Sequence, residues 1–336
     1  MSTLTDRTDL QSFAGRQKPL WNISALAYTL IGYTSSIVLI LQPNPWLNAL
    51  GIIVLTHSLI YSAYFSHEFM HGTIFSSRRW NAVWGTVMLW LNGGCYGAFD
   101  KLSVEHIAHH VNRVDFSGFD LPQAIRNLPQ PIRWVVLGLE WMYVPAIAFW
   151  LRWRNIGKAF QDPKQHLRTL AILLIRGSLF SLVTWLSPTA PLLYLAAFIG
   201  MIHALRIMDA FQHTYEVFLV GTPLPERSRE HEQANTFSTL ISLRHRWLNL
   251  LLLNFGYHNA HHEVMKCPWH SLPELDRTLY TGDEVHYITL PQLLRNYHRF
   301  RIHRIFSDQG QAYDENNTPT PDRFYGAVGV SFLTVF

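Results

Sequence analysis

The stretch "WLNALGIIVLTHSLIYSAYFSHEFMHG" (46–72) holds two features in one run. Residues 46–65 contain one histidine and, tyrosines aside, no other ionisable group. About 20 such residues, rising 1.5 Å each, cross a ~30 Å hydrocarbon layer. Just beyond comes His67-Glu68-x-x-His71, whose two imidazoles at i and i+4 share one helix face. The fold must therefore combine a membrane span with a histidine pair delivered to its end.

Other blocks extend the pattern. "WNISALAYTLIGYTSSIVLIL" (21–41) carries no charge, and its link to the next span, "QPNP" (42–45), holds two prolines that cannot continue a helix. Residues 168–187 and 191–211 supply a second pair of apolar runs, joined by "SPTAP" (187–191). Two further stretches, 80–94 and 134–150, are shorter or interrupted by Glu140 and Pro145, and their tryptophans suit helices at the headgroup level. The expected fold is an all-α integral membrane protein. It has four transmembrane helices in two hairpins, interfacial helices, and a helical cap holding a metal site. With no internal repeat, the 336 residues read as a tail (1–20), a membrane domain (21–300) and a second tail (301–336).

Composition narrows the function classes. The polar first twenty residues do not resemble a cleavable signal peptide. Cys95 and Cys267 form no CxxC, which excludes disulfide frameworks, zinc ribbons and iron–sulfur clusters. The net charge of +4 comes without basic runs interleaved with aromatics, so nucleic acid is not an expected partner.

The His67–His71 pair is one of three groups. "HIAHH" (106–110) and "HNAHH" (258–262) both read His-x-x-His-His, which 18 histidines in 336 residues would produce by accident ~0.05 times. On a helix, His106, His109 and His110 face one way, and so do His258, His261 and His262. Neutral imidazole is a common metal ligand, and eight rings exceed the needs of one zinc ion. His213, at the end of the fourth span with Asp209 one turn before it, is a ninth candidate. Nine nitrogens suit two metal ions. If all share one site, an even number of crossings separates the groups. Then Arg78, Arg79, Arg152, Arg154, Lys158, Lys164 and Arg168 fall on the histidine side, which the positive-inside rule makes cytoplasmic, with both termini there too. His57 and His203 read as packed span residues, and the remaining histidines as structural or solvated.

Rival readings exist. "HEFMH" (67–71) is literally the His-Glu-x-x-His of zinc proteases, with Glu68 as general base, but that class leaves six motif histidines idle. Glu68 is otherwise a carboxylate that orients an imidazole or a plain solvated residue. A metal transporter would place its ligands at the bilayer midplane, whereas eight of these nine lie outside the spans.

The spacing resembles the membrane fatty acid desaturase and hydroxylase superfamily, with the three histidine groups separated by a second membrane hairpin. "NFGYHNAHHEVMKCPWHSLPEL" (254–275), "ANTFS" (234–238) and "LRIMDAFQH" (205–213) are similar to further elements of that family, so the likeness covers about residues 20–280. It implies two iron ions held by His67, His71, His106, His109, His110, His213, His258, His261 and His262, with O2 as co-substrate. Beyond the metal centre no separate catalytic residue is expected; Glu68, Glu105, Asp115, Asp209 and Glu263 would orient the rings. It implies oxidation of a long-chain fatty acid or acyl lipid, with desaturation as the leading reaction. Oxidative decarboxylation of free acids to terminal alkenes and lipid or carotenoid hydroxylation are the alternatives. The chain has no haem motif, cysteine cluster or GxGxxG, so a separate ferredoxin or cytochrome with its reductase is the expected electron donor. The first group has three intervening residues rather than the four of acyl-CoA desaturases, which points to acyl-lipid-type relatives. Gly93, Gly94, Trp90 and Tyr96 could line a substrate channel, and mid-span Arg176 is expected to contact Asp209 or Glu140.

Overall fold

In the computed structural model, residues 10–328 are described, except 220, 315, 317, 319 and 321. Thirteen α-helices follow one another among them. They are α1 (Pro19–Ile40), α2 (Pro45–His71), α3 (Arg78–Asn92), α4 (Phe99–Asn112), α5 (Leu121–Arg126), α6 (Gln130–Trp141), α7 (Ala146–Gln161), α8 (His166–Leu186), α9 (Ala190–Asp209), α10 (Arg229–Ala234), α11 (His258–Glu263), α12 (Leu272–Leu279) and α13 (Leu290–Arg299). Of the described helices, α1, α2, α8 and α9 are long and apolar enough to cross a membrane.

The first span buries small and polar residues and turns large apolar ones outward. On α1 the buried stripe is Asn22, Leu26, Thr29, Gly32, Ser36 and Ile40, while Ile23, Ile31 and Val38 are exposed. An apolar exterior over a stripe of small and polar residues is what a lipid solvent selects, because close backbone approach replaces the hydrophobic drive. Gly32 shows the closeness of that approach: a β-carbon there would collide with Ser58 Oγ on α2.

Helix α2 is the central element, buried without interruption from Ser58 to His71. Its 27 residues make about 40 Å at 1.5 Å each, more than the ~30 Å of hydrocarbon. The last turns, with His67 and His71, are therefore free to project past the apolar layer. Asn44 starts the helix by accepting from the backbone of Trp46 and Leu47, and Gly72 stops it in the left-handed region at φ 70°.

Several expectations need correction. The stretch 134–150 is not one helix: α6 and α7 meet at 118°. Pro145 has no N–H to continue α6, Tyr143 takes φ 62°, and the Glu140 carboxylate accepts from Ile147 N at 2.7 Å across the break. Arg176 contacts neither Asp209 nor Glu140. Its Nη1 donates to Trp90 O at 2.9 Å, and Glu140 is held by Arg206 at 2.9 Å. The fold is also not purely α. Strands β1 (Asp115–Ser117) and β2 (Val217–Leu219) pair in parallel, as do β3 (Ser238–Leu240) and β4 (Tyr287–Thr289). The first ladder ties the segment after the second histidine group to the one after His213, and the second joins the stretches before and after the third histidine group.

The described parts of both expected tails pack onto the body. Phe13 is buried in a cluster with Tyr257 and Leu272, and Gly15 N donates to Lys266 O. Phe324 is fully buried against Phe211 and Phe237, and Ala327 N donates to Ala210 O at 2.7 Å. The described part of 301–336 is therefore a buried strap across the end of α9.

Candidate metal centre

Four separate segments supply the nine candidate histidines, and the structure gathers all nine. His67 and His71 lie on the last turn and a half of α2, and His106, His109 and His110 on one face of α4. His258, His261 and His262 sit on the single short helix α11, and His213 in the loop after α9. In one group, His67, His71, His106, His110 and His261 each place a ring nitrogen within 4.8 Å of all the others. His71 Nε2 stands 2.8 Å from His106 Nε2, and His110 Nε2 stands 3.2 Å from His106 Nε2 and 3.3 Å from His261 Nε2. A second group joins His109, His213 and His262. His258 enters it through an Nε2–Nε2 separation of 2.8 Å from His213.

These contacts are too many to be hydrogen bonds among neutral rings. Each neutral imidazole has one N–H, so five nitrogens turned on one point leave most lone pairs facing lone pairs. Moreover, the buried Nδ1 atoms of His71, His110 and His261 have no hydrogen-bond partner, nor does the buried Nε2 of His262. A bound cation removes the opposition of lone pairs at the Nε2 atoms and gives the orphaned Nε2 of His262 a partner, and an all-imidazole donor set suits a borderline first-row metal. The residues present therefore fit a metal centre.

Burial, and then the neighbouring imidazoles, hold His106, His110, His213, His258 and His262 well below the ordinary histidine range. Burial carries His261 down to about 3. The rings are thus neutral and ready to ligate at physiological pH. The folded chain then binds fewer protons than the unfolded one, whose histidines titrate near ~6.5, so stability is lost as pH falls below that value. Each such ring withdraws about 1.4 kcal/mol per pH unit in that window. The metal-free chain should melt at a clearly lower temperature at pH 5.5 than at pH 7.5 when followed by differential scanning fluorimetry. An unchanged melting point would show that the rings are not buried neutral.

Two rings are oriented by carboxylates. Asp115 Oδ1 lies 3.1 Å from His109 Nδ1, which also meets Val114 O at 2.9 Å. Glu232 Oε1 lies 2.8 Å from His262 Nδ1, while its other oxygen accepts from Arg113 Nε at 2.8 Å. Burial pushes the Glu232 carboxyl up despite the guanidinium beside it. The sequence reading missed Glu232. It lies on α10, 26 residues before the third histidine group, with no helical spacing to connect them. The one available signal was its closeness to "ANTFS": Thr236 Oγ1 donates to Glu232 O at 2.7 Å.

Of the other expected carboxylates, Glu105, Glu263 and Asp209 lie elsewhere, and Glu68 stands beside His67. Glu105 is exposed, because the 100° helical step beside His106 turns it out of the cage. Glu263 accepts from Arg229 Nε at 3.1 Å and Gln233 Nε2 at 3.3 Å rather than from a candidate histidine. Asp209 does not share a helix face with His213, since α9 ends at Asp209; it accepts from Tyr64 at 3.4 Å. Glu68 is buried and accepts from Thr73 Oγ1 at 2.7 Å and Trp269 N at 3.1 Å, with His67 Nδ1 at 3.5 Å. Those donors occupy the carboxylate a protease would need as its base. Glu105→Ala and Glu263→Ala should each leave metal content unchanged and stability within about 0.5 kcal/mol. Metal analysis and a thermal melt check both, and loss of metal in either would return that carboxylate to the site.

His203 and His57 behave as span residues. His203 Nδ1 meets Tyr297 Oη at 2.7 Å and its Nε2 meets Tyr143 O at 2.6 Å, while His57 bridges Tyr28 and Leu251.

Four helices long and apolar enough to cross a membrane, with a polyhistidine cluster compatible with a metal centre, fit a membrane protein. The family model described as fatty acid desaturase matches residues 44–293, more than half of the chain, and the chain belongs to that family. Comparison with curated proteins found no match.

Proposed function

We propose that this chain is an O2-dependent di-iron oxidase of long aliphatic fatty acyl chains, and that its reaction is desaturation. The observation that carries the reading is the convergence of nine imidazoles, delivered by α2, α4, α11 and the loop after α9, into one buried cluster. Membership of the desaturase family supports it independently.

His67, His71, His106, His110 and His261 would hold one iron, and His109, His213, His258 and His262 the other. Iron there would supply the oxidising power from O2 that an unactivated C–H bond demands and that redox-inert zinc lacks. The protein's own share is positional. Asp115 and Glu232 fix the rotation of His109 and His262, the backbone of β1 and β2 anchors the flanking segments, and burial keeps bulk water from the cluster. In this reading the cluster and the basic loops lie on the cytoplasmic side, α6 and α7 lie along the interface, and both termini are cytoplasmic. The core domain spans 21–300, and electrons arrive from a ferredoxin or cytochrome partner.

Iron-loaded protein in liposomes, supplied with O2, a ferredoxin–reductase system and a panel of free and esterified acyl chains, should yield products with one new internal double bond. Gas chromatography with mass spectrometry reads them. A terminal alkene one carbon shorter, a hydroxylated chain, or zinc-dependent activity indifferent to O2 would each displace desaturation.

A further inference from the structure

Arg152 on α7 and Arg176 on α8 bring two guanidinium groups among the apolar helices, and among the described residues no carboxylate pairs with either. Arg176 lies midway along a candidate span, where its Nη1 meets Trp90 O at 2.9 Å and Cys95 Sγ at 3.7 Å. Arg152 Cζ stands 5.0 Å from the ring centre of Phe198, and its Nε is buried with no hydrogen-bond partner among the described residues. Both guanidinium groups border the stretch 90–95, Arg176 at Trp90 and Cys95 and Arg152 at Gly93, and Tyr194 stacks on Phe198 with ring centres 6.4 Å apart. Tyr194 Oη lies 3.4 Å from Tyr33 Oη on α1. The nearby buried carboxylate, Glu140, is already engaged by Arg206.

Each neighbour is thus a cation, a hydroxyl, a thiol, a carbonyl or a ring. Unneutralised charge among apolar helices is costly, and two like charges compound the cost. An anion entering from outside relieves it. The place is also near the metal cluster in the fold. A β-carbon on Gly93 would stand 3.3 Å from Arg152 Nη1, the preceding Asn92 donates to Ser66 Oγ at 3.1 Å, and Ser66 adjoins His67.

We propose that Arg152 and Arg176 form the binding site for the carboxylate of a free fatty acid, holding the head of the chain while its hydrocarbon reaches the histidine cluster. The proposal rests on the fatty-acyl reading above and narrows it to the free acid. Planar guanidinium groups match a planar carboxylate in two-pronged hydrogen bonds, whereas an ester carbonyl brings no charge. Walls of Phe198, Tyr33 and Tyr194 on transmembrane helices favour a small head over a bulky one.

The test measures binding to the purified chain as isolated, in lipid nanodiscs and without O2, so that no turnover occurs. The probes are palmitate, methyl palmitate and a phosphatidate. Palmitate should bind at least about tenfold tighter than its methyl ester, a difference a charge-assisted bond readily supplies. Arg152→Gln and Arg176→Gln should each erase that preference without lowering the thermal melt of the ligand-free chain, and Arg152→Lys should restore part of it. Equal binding of acid and ester by the unaltered chain overturns the proposal. So does phosphatidate displacing palmitate with the stronger dependence on both arginines, which would make the site one for lipid phosphate. Binding as expected in a chain that oxidises nothing would keep the site and remove the reaction. Equal turnover of acids and esters would do the reverse.

Discussion

His110→Ala should abolish oxidation of acyl chains and lower the metal content to one ion or fewer per chain. His110 stands apart from the other rings because it bridges the cluster. Its Nε2 meets His106 and His261 in the five-ring group, and it also belongs to a group with His262 and Glu232. Removing it opens the wall between the two proposed metal positions. It also strips a buried, tightly packed side chain, 3% exposed, from the middle of the cage. Since two metals acting together lose function when either is disturbed, activity should fall by at least ~10³-fold. Metal analysis and product formation on the same sample check the result, and a circular dichroism spectrum confirms that the helices survive. Full metal content with retained turnover would mean that His110 is a packing residue and not a ligand.

Glu232→Gln should lower metal affinity or activity by about 10–100-fold, the usual effect of removing a carboxylate that orients a ligand imidazole. The amide oxygen can still accept from His262 Nδ1–H. What it loses is the negative charge that makes that imidazole a better donor, and the ion pair with Arg113, which also donates from Nη1 to Arg227 O. The segment that carries His262's support would loosen at both ends. Metal titration of the stripped protein distinguishes this outcome from simple unfolding, and unchanged affinity would leave Glu232 a structural partner of Arg113 alone. Asp115→Asn, acting on His109 by the same geometry, provides an internal comparison.

Much of this arrangement was legible in the sequence because helical spacing dictates it. Three-and-four-residue intervals put His106, His109 and His110 on one face, and the same intervals do so for His258, His261 and His262. The long apolar runs likewise announce α1, α2, α8 and α9. Failures came where helices stop. His213 was chosen as a helical neighbour of Asp209, yet the chain leaves the helix first. Ala210 O accepts from Ala327 N, and His213 forms an isolated antiparallel bridge with Thr236. The ring reaches the cluster from a loop, for a reason no periodicity reveals. Glu232 escaped notice in the same way, since its contact with His262 depends on how α10 folds back against α11. The cost of a mid-span cation predicts a carboxylate partner for Arg176, but the Trp90 carbonyl and the Cys95 sulfur answer part of its demand instead. The break between α6 and α7 follows from Pro145 once Glu140 is seen to cap the new helix, a role that a run of apolar residues conceals.

The central claim is that imidazole nitrogens, and nothing else in the protein, hold two iron ions inside this cluster. X-ray absorption at the iron K-edge on the iron-loaded chain tests it most directly. About two irons per chain, with a nitrogen-dominated shell and the multiple-scattering pattern of several imidazoles, is the result expected. Iron bound mainly through sulfur or carboxylate oxygen, or a chain that takes up zinc and no iron, would contradict it.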